Sequence, residues 1–260
     1  MSDNAFVILG CAANRQVSDF DNNVTSGYLL KLGERLILFD CGGGVTGAFL
    51  RAGFSFEQVT DIFISHTHAD HVTDLPLFVQ SIYLTRRTTP GLTLYLPRDF
   101  VEPFQNYMRS LYMFPELYPF DFGVVGYGDG FVLDDGLLIE AFGNAHLSRY
   151  RERLQQLGGD NEMLSHSFRI TTGEKRLFYT ADLDRFEEVL PHLPGCDYTV
   201  VDSTHVDIDD ILEYAATGEI GRVVFTHLGS VSEVRRLQSK IEQSGLSTVT
   251  IAEPGMTLQM

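Results

Sequence analysis

The sequence predicts an α/β fold of mixed β-sheets covered by helices. Short apolar runs near the N-terminus read as hairpins, strand-like and helix-like runs then alternate, and no linker or low-complexity segment interrupts them. At 260 residues and 44% hydrophobic content, the chain can bury a sizeable core, which argues against disorder. One domain spanning residues 1–260 is expected.

Ala5–Gly10 and Tyr28–Leu32 are apolar runs of strand length, and Arg35–Asp40 is a strand ending in an acid. Gly43–Ala52 has helical spacing and stops at Gly53. Asp61–Ser65 is a strand that runs straight into His66. Val72–Arg87 is periodic and helical, with Pro76 in its opening region. Leu92–Leu96 reads as a strand and Asp99–Met113 as a helix. Phe114–Gly130 has two prolines, several aromatics and little periodicity, and reads as an aromatic loop bordering a site or covering the core. Leu137–Phe142 is a strand leading to His146, and Arg149–Gly158 is a short amphipathic segment. His166–Thr171 and Arg176–Thr180 flank a hairpin turn, Thr172-Gly173-Glu174-Lys175. Asp184–Leu190, Ile208–Ala216 and Val231–Ser244 read as helices. Tyr198–Val201, Arg222–Thr226, Thr248–Ile251 and Met256–Gln259 read as strands.

The formal charge is 19 − 35 = −16. This argues against a sequence-blind grip on a large nucleic acid, which needs a cationic surface. A local phosphate site beside metal ions stays open, because the ions bring their own charge. The N-terminal MSDNAFVILGC has no basic region or long apolar run, so no secretory signal is expected. No stretch reaches 18 uninterrupted apolar residues, so no membrane span is expected. Cys11, Cys41 and Cys196 are widely spaced, odd in number and without CxxC, which predicts buried free thiols and a reducing, cytoplasmic setting.

The strongest local signal is Ser65-His66-Thr67-His68-Ala69-Asp70-His71, in a turn after a strand. Imidazole and carboxylate are good ligands for zinc and related divalent ions, and a coiling turn can aim them at more than one ion. His146, Asp182 and His227 each end or follow another strand. Taken alone, each reads equally as a cap or a satisfied core residue. Together they follow the habit of sheets, which build sites at the C-terminal ends of strands. The run Cys41-Gly42-Gly43-Gly44 lies between a strand and a helix. It lacks both the Rossmann spacing and the P-loop ending, so it reads as tight backbone packing beside the metal cluster.

These motifs, with the flanks Ile62–Leu75, Asn23–Ser26, Leu36–Gly42 and Ala252–Met256, resemble the metallo-β-lactamase superfamily and its ribonuclease Z-like branch over nearly the whole chain. The resemblance implies a four-layer αββα sandwich, two mixed sheets between helices, built from two similar halves meeting near Asp134. It implies that His66, His68 and His146 hold one ion, that Asp70, His71 and His227 hold a second, and that Asp182 bridges them. A hydroxide between the ions is then the nucleophile, oriented by Asp70. Asp40 is expected to receive a ring N–H from a ligand histidine. Zinc is the default, and manganese and iron suit the same donors.

The motif flanks lean toward a small or cyclic phosphodiester as substrate. Two features depart from ribonuclease Z. Its His-Glu-Ala-Thr element is replaced by Val201-Asp202-Ser203-Thr204-His205, where Asp202 matches the Glu and His205 is a shifted imidazole, the candidate general acid. Only 35 residues separate His146 from Asp182, too few for the long tRNA-gripping arm of some members. tRNA 3′ processing is therefore disfavoured. A carboxyl-ester, thioester or lactone hydrolase is the main alternative, and would use the aromatics of Tyr107–Phe122 as an apolar pocket. His166 and Arg169 are secondary phosphate or proton-transfer candidates, the basic Arg149–Arg153 reads first as a solvated helix face and only second as a phosphate contact, Asp74 is a further acid beside the motif, and a homodimer is the expected assembly.

Overall fold

The computed structural model describes residues 4–13, 23–134, 136–173 and 175–260. In chain order the strands and helices are β1 (Ala5–Gly10), β2 (Gly27–Leu32), β3 (Arg35–Phe39), α1 (Val45–Arg51), β4 (Val59–Phe63), α2 (Ala69–Val72), α3 (Leu75–Leu84), β5 (Leu92–Pro97), α4 (Val101–Ser110) and β6 (Phe122–Tyr127). They continue with β7 (Val132–Asp134), β8 (Leu138–Gly143), α5 (Arg151–Gln156), β9 (His166–Thr172), β10 (Lys175–Tyr179), β11 (Tyr198–Asp202), α6 (Ile208–Ala216), β12 (Arg222–Thr226), α7 (Val231–Ser244), β13 (Val249–Ile251) and β14 (Thr257–Gln259).

Two compact units result. One holds β1, Asn23–Tyr127 and Glu253–Gln259, and the other holds Gly128–Ala252. The first carries a sheet ordered β14-β1-β2-β3-β4-β5-β6, and the second a sheet ordered β13-β12-β11-β10-β9-β8-β7. Read from β14, the first sheet has three antiparallel pairings and then three parallel ones. Read from β7, the second repeats that pattern. Tight hairpins join β2 to β3 and β9 to β10 on the antiparallel side, and longer crossovers, mostly helical, serve the parallel side. The expected α/β class with two mixed sheets flanked by helices is therefore present, and the units are alike. Their division falls between Tyr127 and Gly128, shortly before Asp134, because β7 already pairs with β8 in the second sheet.

In the first unit one sheet face packs on helices. Leu29, Leu38, Ile62 and Leu94 meet Val45 and Phe49 of α1 and Phe78 of α3 in one buried cluster. The opposite face is an aromatic ladder. Phe6 stacks on Tyr28 at 5.9 Å, Phe39 on Phe63 at 5.3 Å, and Phe63 on Tyr95 at 4.2 Å. Strands covered on both faces read as continuous apolar runs, which is why β1, β3 and β4 were legible by composition and not by alternation.

Three elements differ from the sequence reading. The helix expected over Val72–Arg87 is the shorter α3, Leu75–Leu84, with Pro76 in its first turn, and Val72 instead closes the separate one-turn α2. The expected loop Phe114–Gly130 contains a 3₁₀ turn, Pro115–Leu117, and the strand β6. β6 lies at the end of its sheet and pairs only with β5, so its Gly-Val-Val-Gly run shows no clean burial alternation. The helix expected over Asp184–Leu190 is replaced by two 3₁₀ turns, Phe186–Glu188 and Leu190–His192, the second containing Pro191. The hairpin between β9 and β10 is present, and its Glu174 lies outside the described residues.

Candidate metal centre

In the first unit the site begins where β3 and β4 end side by side. Asp40 follows β3 with φ 57°, a left-handed conformation uncommon away from glycine, and its carboxylate is fully buried. It accepts from Ser65 N at 2.7 Å and Ser65 Oγ at 2.8 Å, and lies 2.8 Å from His71 Nδ1. Ser65 Oγ in turn lies 3.1 Å from His66 Nδ1. One carboxylate therefore grips two imidazoles, His71 directly and His66 through a hydroxyl. The rings of His66 and His71 are 4.1 Å apart, and those of His66 and His68 4.8 Å apart.

Backbone packing holds the turn that carries Asp70 and His71. Ser26 N donates to Asp70 O at 3.1 Å and Cys41 N to His71 O at 2.7 Å. A Cβ on Gly42 would lie 1.9 Å from Asp70 O, so only glycine lets the chain pass there. This is the tight packing expected of the Gly-rich run. Tyr127 Oη donates to Ile64 O at 2.5 Å, tying the end of β6 to the approach to the motif. Asp74 serves a different purpose from the one its position suggested: its Oδ2 accepts from Thr46 N at 2.7 Å, at the start of α1.

The second unit repeats the device. Asp202, fully buried at the end of β11, lies 2.8 Å from His205 Nδ1 through Oδ2. Its Oδ1 accepts from Thr204 Oγ1 at 3.1 Å, and that hydroxyl lies 2.7 Å from His227 Nδ1. Here the carboxylate grips His205 directly and reaches His227 both through that hydroxyl and directly, with Oδ1 3.4 Å from His227 Nδ1. Asp182 Oδ2 lies 3.5 Å from both His146 Nε2 and His227 Nε2. Asp182, Asp202, His205 and His227 each offer a donor atom within 4.8 Å of the others. Ala181 and His227 adopt φ 50° and 52°, so with Asp40 three of the six left-handed non-glycine residues among those described fall at the strand ends carrying the site. Burial alone raises the Asp202 carboxyl, but hydrogen bonds and charge from His205 and His227 hold it well below the usual carboxylate range.

The histidines are arranged as metal ligands should be. His66, His71, His146 and His227 each have Nδ1 beside an oxygen: Ser65 Oγ, Asp40 Oδ2, Leu183 O at 3.3 Å and Thr204 Oγ1. That sets the tautomer and leaves Nε2 as the lone-pair donor. The residues present therefore fit divalent ions. Replacing Asp40 with Asn should lower metal affinity by roughly 10–100-fold in a competitive chelator titration. Unchanged affinity would reduce Asp40 to a strand cap.

In the first unit the rings of His66, His68 and His71 lie together, with Asp70 beside His71 in α2. In the second, Asp182 meets His146 and His227, and His205 stands beside Asp202. The relay hydroxyl Thr204 was missed, although a hydroxyl residue two positions after a strand-end Asp was the available signal. Arg169 is not a phosphate contact: its guanidinium forms a double ion pair with Glu140 on the neighbouring strand, at 2.6 and 2.7 Å. Arg149 lies over the Tyr150 ring, and Arg151 donates to Glu162 O. His166 is fully buried, paired in register with Gly143. All three cysteines are free and buried, as expected.

Comparison with known proteins places this geometry. The model of the β-lactamase superfamily domain matches residues 35–228. Curated relatives include ribonuclease Z of Pyrococcus abyssi, 37% identical over 95 residues (36% of this chain, 30% of the relative). Ribonuclease Z of a Synechococcus strain is 35% identical over 88 residues (33% and 26%). The chain therefore spans under a third of the length of these relatives. Among solved structures, the metallo-β-lactamase fold protein YhfI from Bacillus subtilis has a TM-score of 0.77 at 19% identity, covering 98% of both chains. The short form of human tRNase Z has a TM-score of 0.74 at 18% identity, again covering 98% of both. A diphosphatase from the PhnP family has a TM-score of 0.69 at 16% identity, covering 99% of this chain and 98% of that one. At these identities the likeness shows the fold alone.

Proposed function

The chain is a metal-dependent hydrolase of the metallo-β-lactamase superfamily, and on that premise we propose that it cleaves a small or cyclic phosphodiester. In this reading His66, His68 and His146 hold one ion, Asp70, His71 and His227 hold the other, and Asp182 serves both. Zinc is the default metal for such donors, with manganese and iron as substitutes. Ions held there supply Lewis acidity toward phosphoryl oxygens and lower the pKa of water.

The chain's own residues do the rest. Asp70 orients the attacking water, and His205 delivers a proton to the departing alkoxide. One observation carries the phosphodiester reading: His205 is held by buried Asp202 at 2.8 Å through Nδ1, while its side chain is 24% exposed, unlike the buried His146 and His227. An imidazole anchored on one nitrogen and partly open to solvent suits proton transfer, and alkoxide leaving groups require one. The names of the ribonuclease Z relatives support phosphodiester chemistry, and that of the PhnP-family diphosphatase supports hydrolysis at phosphorus more broadly. The ester alternative needed an aromatic pocket. Tyr118 instead packs on Phe120 and Phe122, and the cavity among Tyr83, Tyr112 and Phe114 is about 70 Å³, small for an acyl chain.

His205→Ala should lower kcat by about 10²–10³-fold on a dialkyl phosphodiester. The loss should be much smaller on bis(p-nitrophenyl) phosphate, whose leaving group needs little protonation. Equal losses on both substrates would overturn the proton-donor role. Ester or lactone turnover without phosphodiester turnover would overturn the substrate class. We place the protein in the cytoplasm and expect a symmetric dimer. Among the described residues no helix is long and apolar enough to cross a membrane.

A further inference from the structure

We propose that Glu188 is the positioning residue for His146, and that its carboxylate fixes the loop carrying that ligand against the segment that follows Asp182. The inference rests on the reading of His146 as a metal ligand, and it lies wholly within the second unit.

His146 stands alone on the loop after β8, without the contiguous partners that residues 66–71 give one another. The sheet holds that chain only as far as the start of the loop. β8 pairs with β9 up to Gly143 opposite His166, and Asn144 N donates to Ser165 O at 2.9 Å. The next N–H is that of Ala145. Its acceptor is Glu188 Oε2 at 2.8 Å, 43 positions away. A carboxylate accepting from a backbone N–H makes a stronger bond than a neutral carbonyl does. This one falls one residue before His146, where the chain leaves the sheet, so it sets the place from which the ligand projects.

Local bonds shape the loop without tying it to the ligand beside it. His146 N donates to Asn144 Oδ1 at 3.2 Å and Ser148 N to Ala145 O at 2.8 Å, both within the loop. Two bonds cross to the segment after Asp182. One is the Glu188 bond, and the other joins His146 Nδ1 to Leu183 O at 3.3 Å. Leu183 directly follows Asp182, and Glu188 ends the 3₁₀ turn Phe186–Glu188. The longer bond orients the ring and the shorter one fixes the backbone, and between them His146 Nε2 stands 3.5 Å from Asp182 Oδ2. Glu188 Oε1 is buried and makes no hydrogen bond among the described residues, and its ion pair with the exposed Arg185 is long, at 3.9 Å. A carboxylate held half-satisfied adds little to stability, which points to what its other oxygen holds.

The test is a competitive zinc–chelator titration of the full chain. Glu188→Ala should weaken the binding of one ion about tenfold. Glu188→Gln, whose amide oxygen still accepts from Ala145 N, should stay within about threefold of wild type. Glu187→Ala is the charge control, because Glu187 is exposed on the same turn; it should stay within about twofold. In a His146→Ala background, Glu188→Ala should add less than about twofold, since a residue acting through His146 has nothing left to position. On metal-free protein, Glu188→Ala should speed hydrogen exchange of the Ala145 amide about tenfold. Equal losses from Glu187→Ala and Glu188→Ala, a Gln variant as weak as the Ala one, a full further loss in the His146→Ala background, or unchanged Ala145 exchange would each overturn the positioning role. If His146→Ala costs an ion while Glu188→Ala costs nothing, the ligand reading stands and Glu188 alone falls. If His146→Ala leaves metal binding unchanged, the ligand reading falls and the proposal falls with it.

Discussion

Replacing Asp182 with Ala should abolish hydrolysis, with turnover of bis(p-nitrophenyl) phosphate falling about 10³-fold or more and metal content dropping below two ions per chain. In the second unit Asp182 is the carboxylate that His146 and His227 share, at 3.5 Å each, and it is almost fully buried. On the proposed ligand set it is also the group common to both ions. Removing it leaves imidazoles with no negative charge between them, so two divalent cations lose the anion that offsets their mutual repulsion. Lewis-acid stabilisation is worth several kcal/mol, and each 1.36 kcal/mol is a factor of ten in rate. Asp182→Asn separates charge from shape, because the amide keeps one oxygen and the same volume; it should fail nearly as badly. Turnover within tenfold of wild type, at full metal content, would remove Asp182 from the centre.

The largest effect on stability is expected at Phe63. Its ring is fully buried between Phe39 at 5.3 Å and Tyr95 at 4.2 Å, with interplanar angles of 14° and 4°. Phe63→Ala removes the middle of that ladder and should cost about 3–5 kcal/mol in denaturant unfolding, the sum of lost transfer energy and a cavity that rigid strands cannot close. The contrast is Leu50→Ala on α1, where the side chain is 54% exposed and the change should stay within about 0.5 kcal/mol. A Phe63→Ala loss below 1 kcal/mol would mean that the ladder collapses around the gap. Because Phe63 lies two residues before Ser65, this variant should also loosen metal binding, which a chelator titration on folded protein would read.

Residues 66–71 were legible because their ligands are contiguous: one turn places three imidazoles and a carboxylate together whatever the rest of the chain does. His146, Asp182 and His227 were legible only by their recurrence at strand ends and by family resemblance, since a lone strand-end His or Asp reads equally as a cap. Arg169 shows the opposite error. A basic residue near the substrate-side strand suggested phosphate, but cross-strand pairing set Glu140 opposite it, and the nearer carboxylate took the guanidinium. β6 and β7 escaped for a different reason. They lie at sheet ends, where a strand needs apolar residues on fewer sides and its pattern weakens.

The −16 charge, the HxHxDH turn and the continuous apolar runs are properties of residues near one another in the chain. They determined the α/β class, the metal-ligand chemistry and the bias against a large polyanion. Tertiary structure decided what depends on distant segments meeting. It placed Asp40 against His71 across 31 positions and let Thr204 reach His227 across 23. The reason is physical. A ligand's identity is set by its side chain, but its tautomer, its orientation and the charge left over around it are set by whichever groups the sheets bring within hydrogen-bond reach.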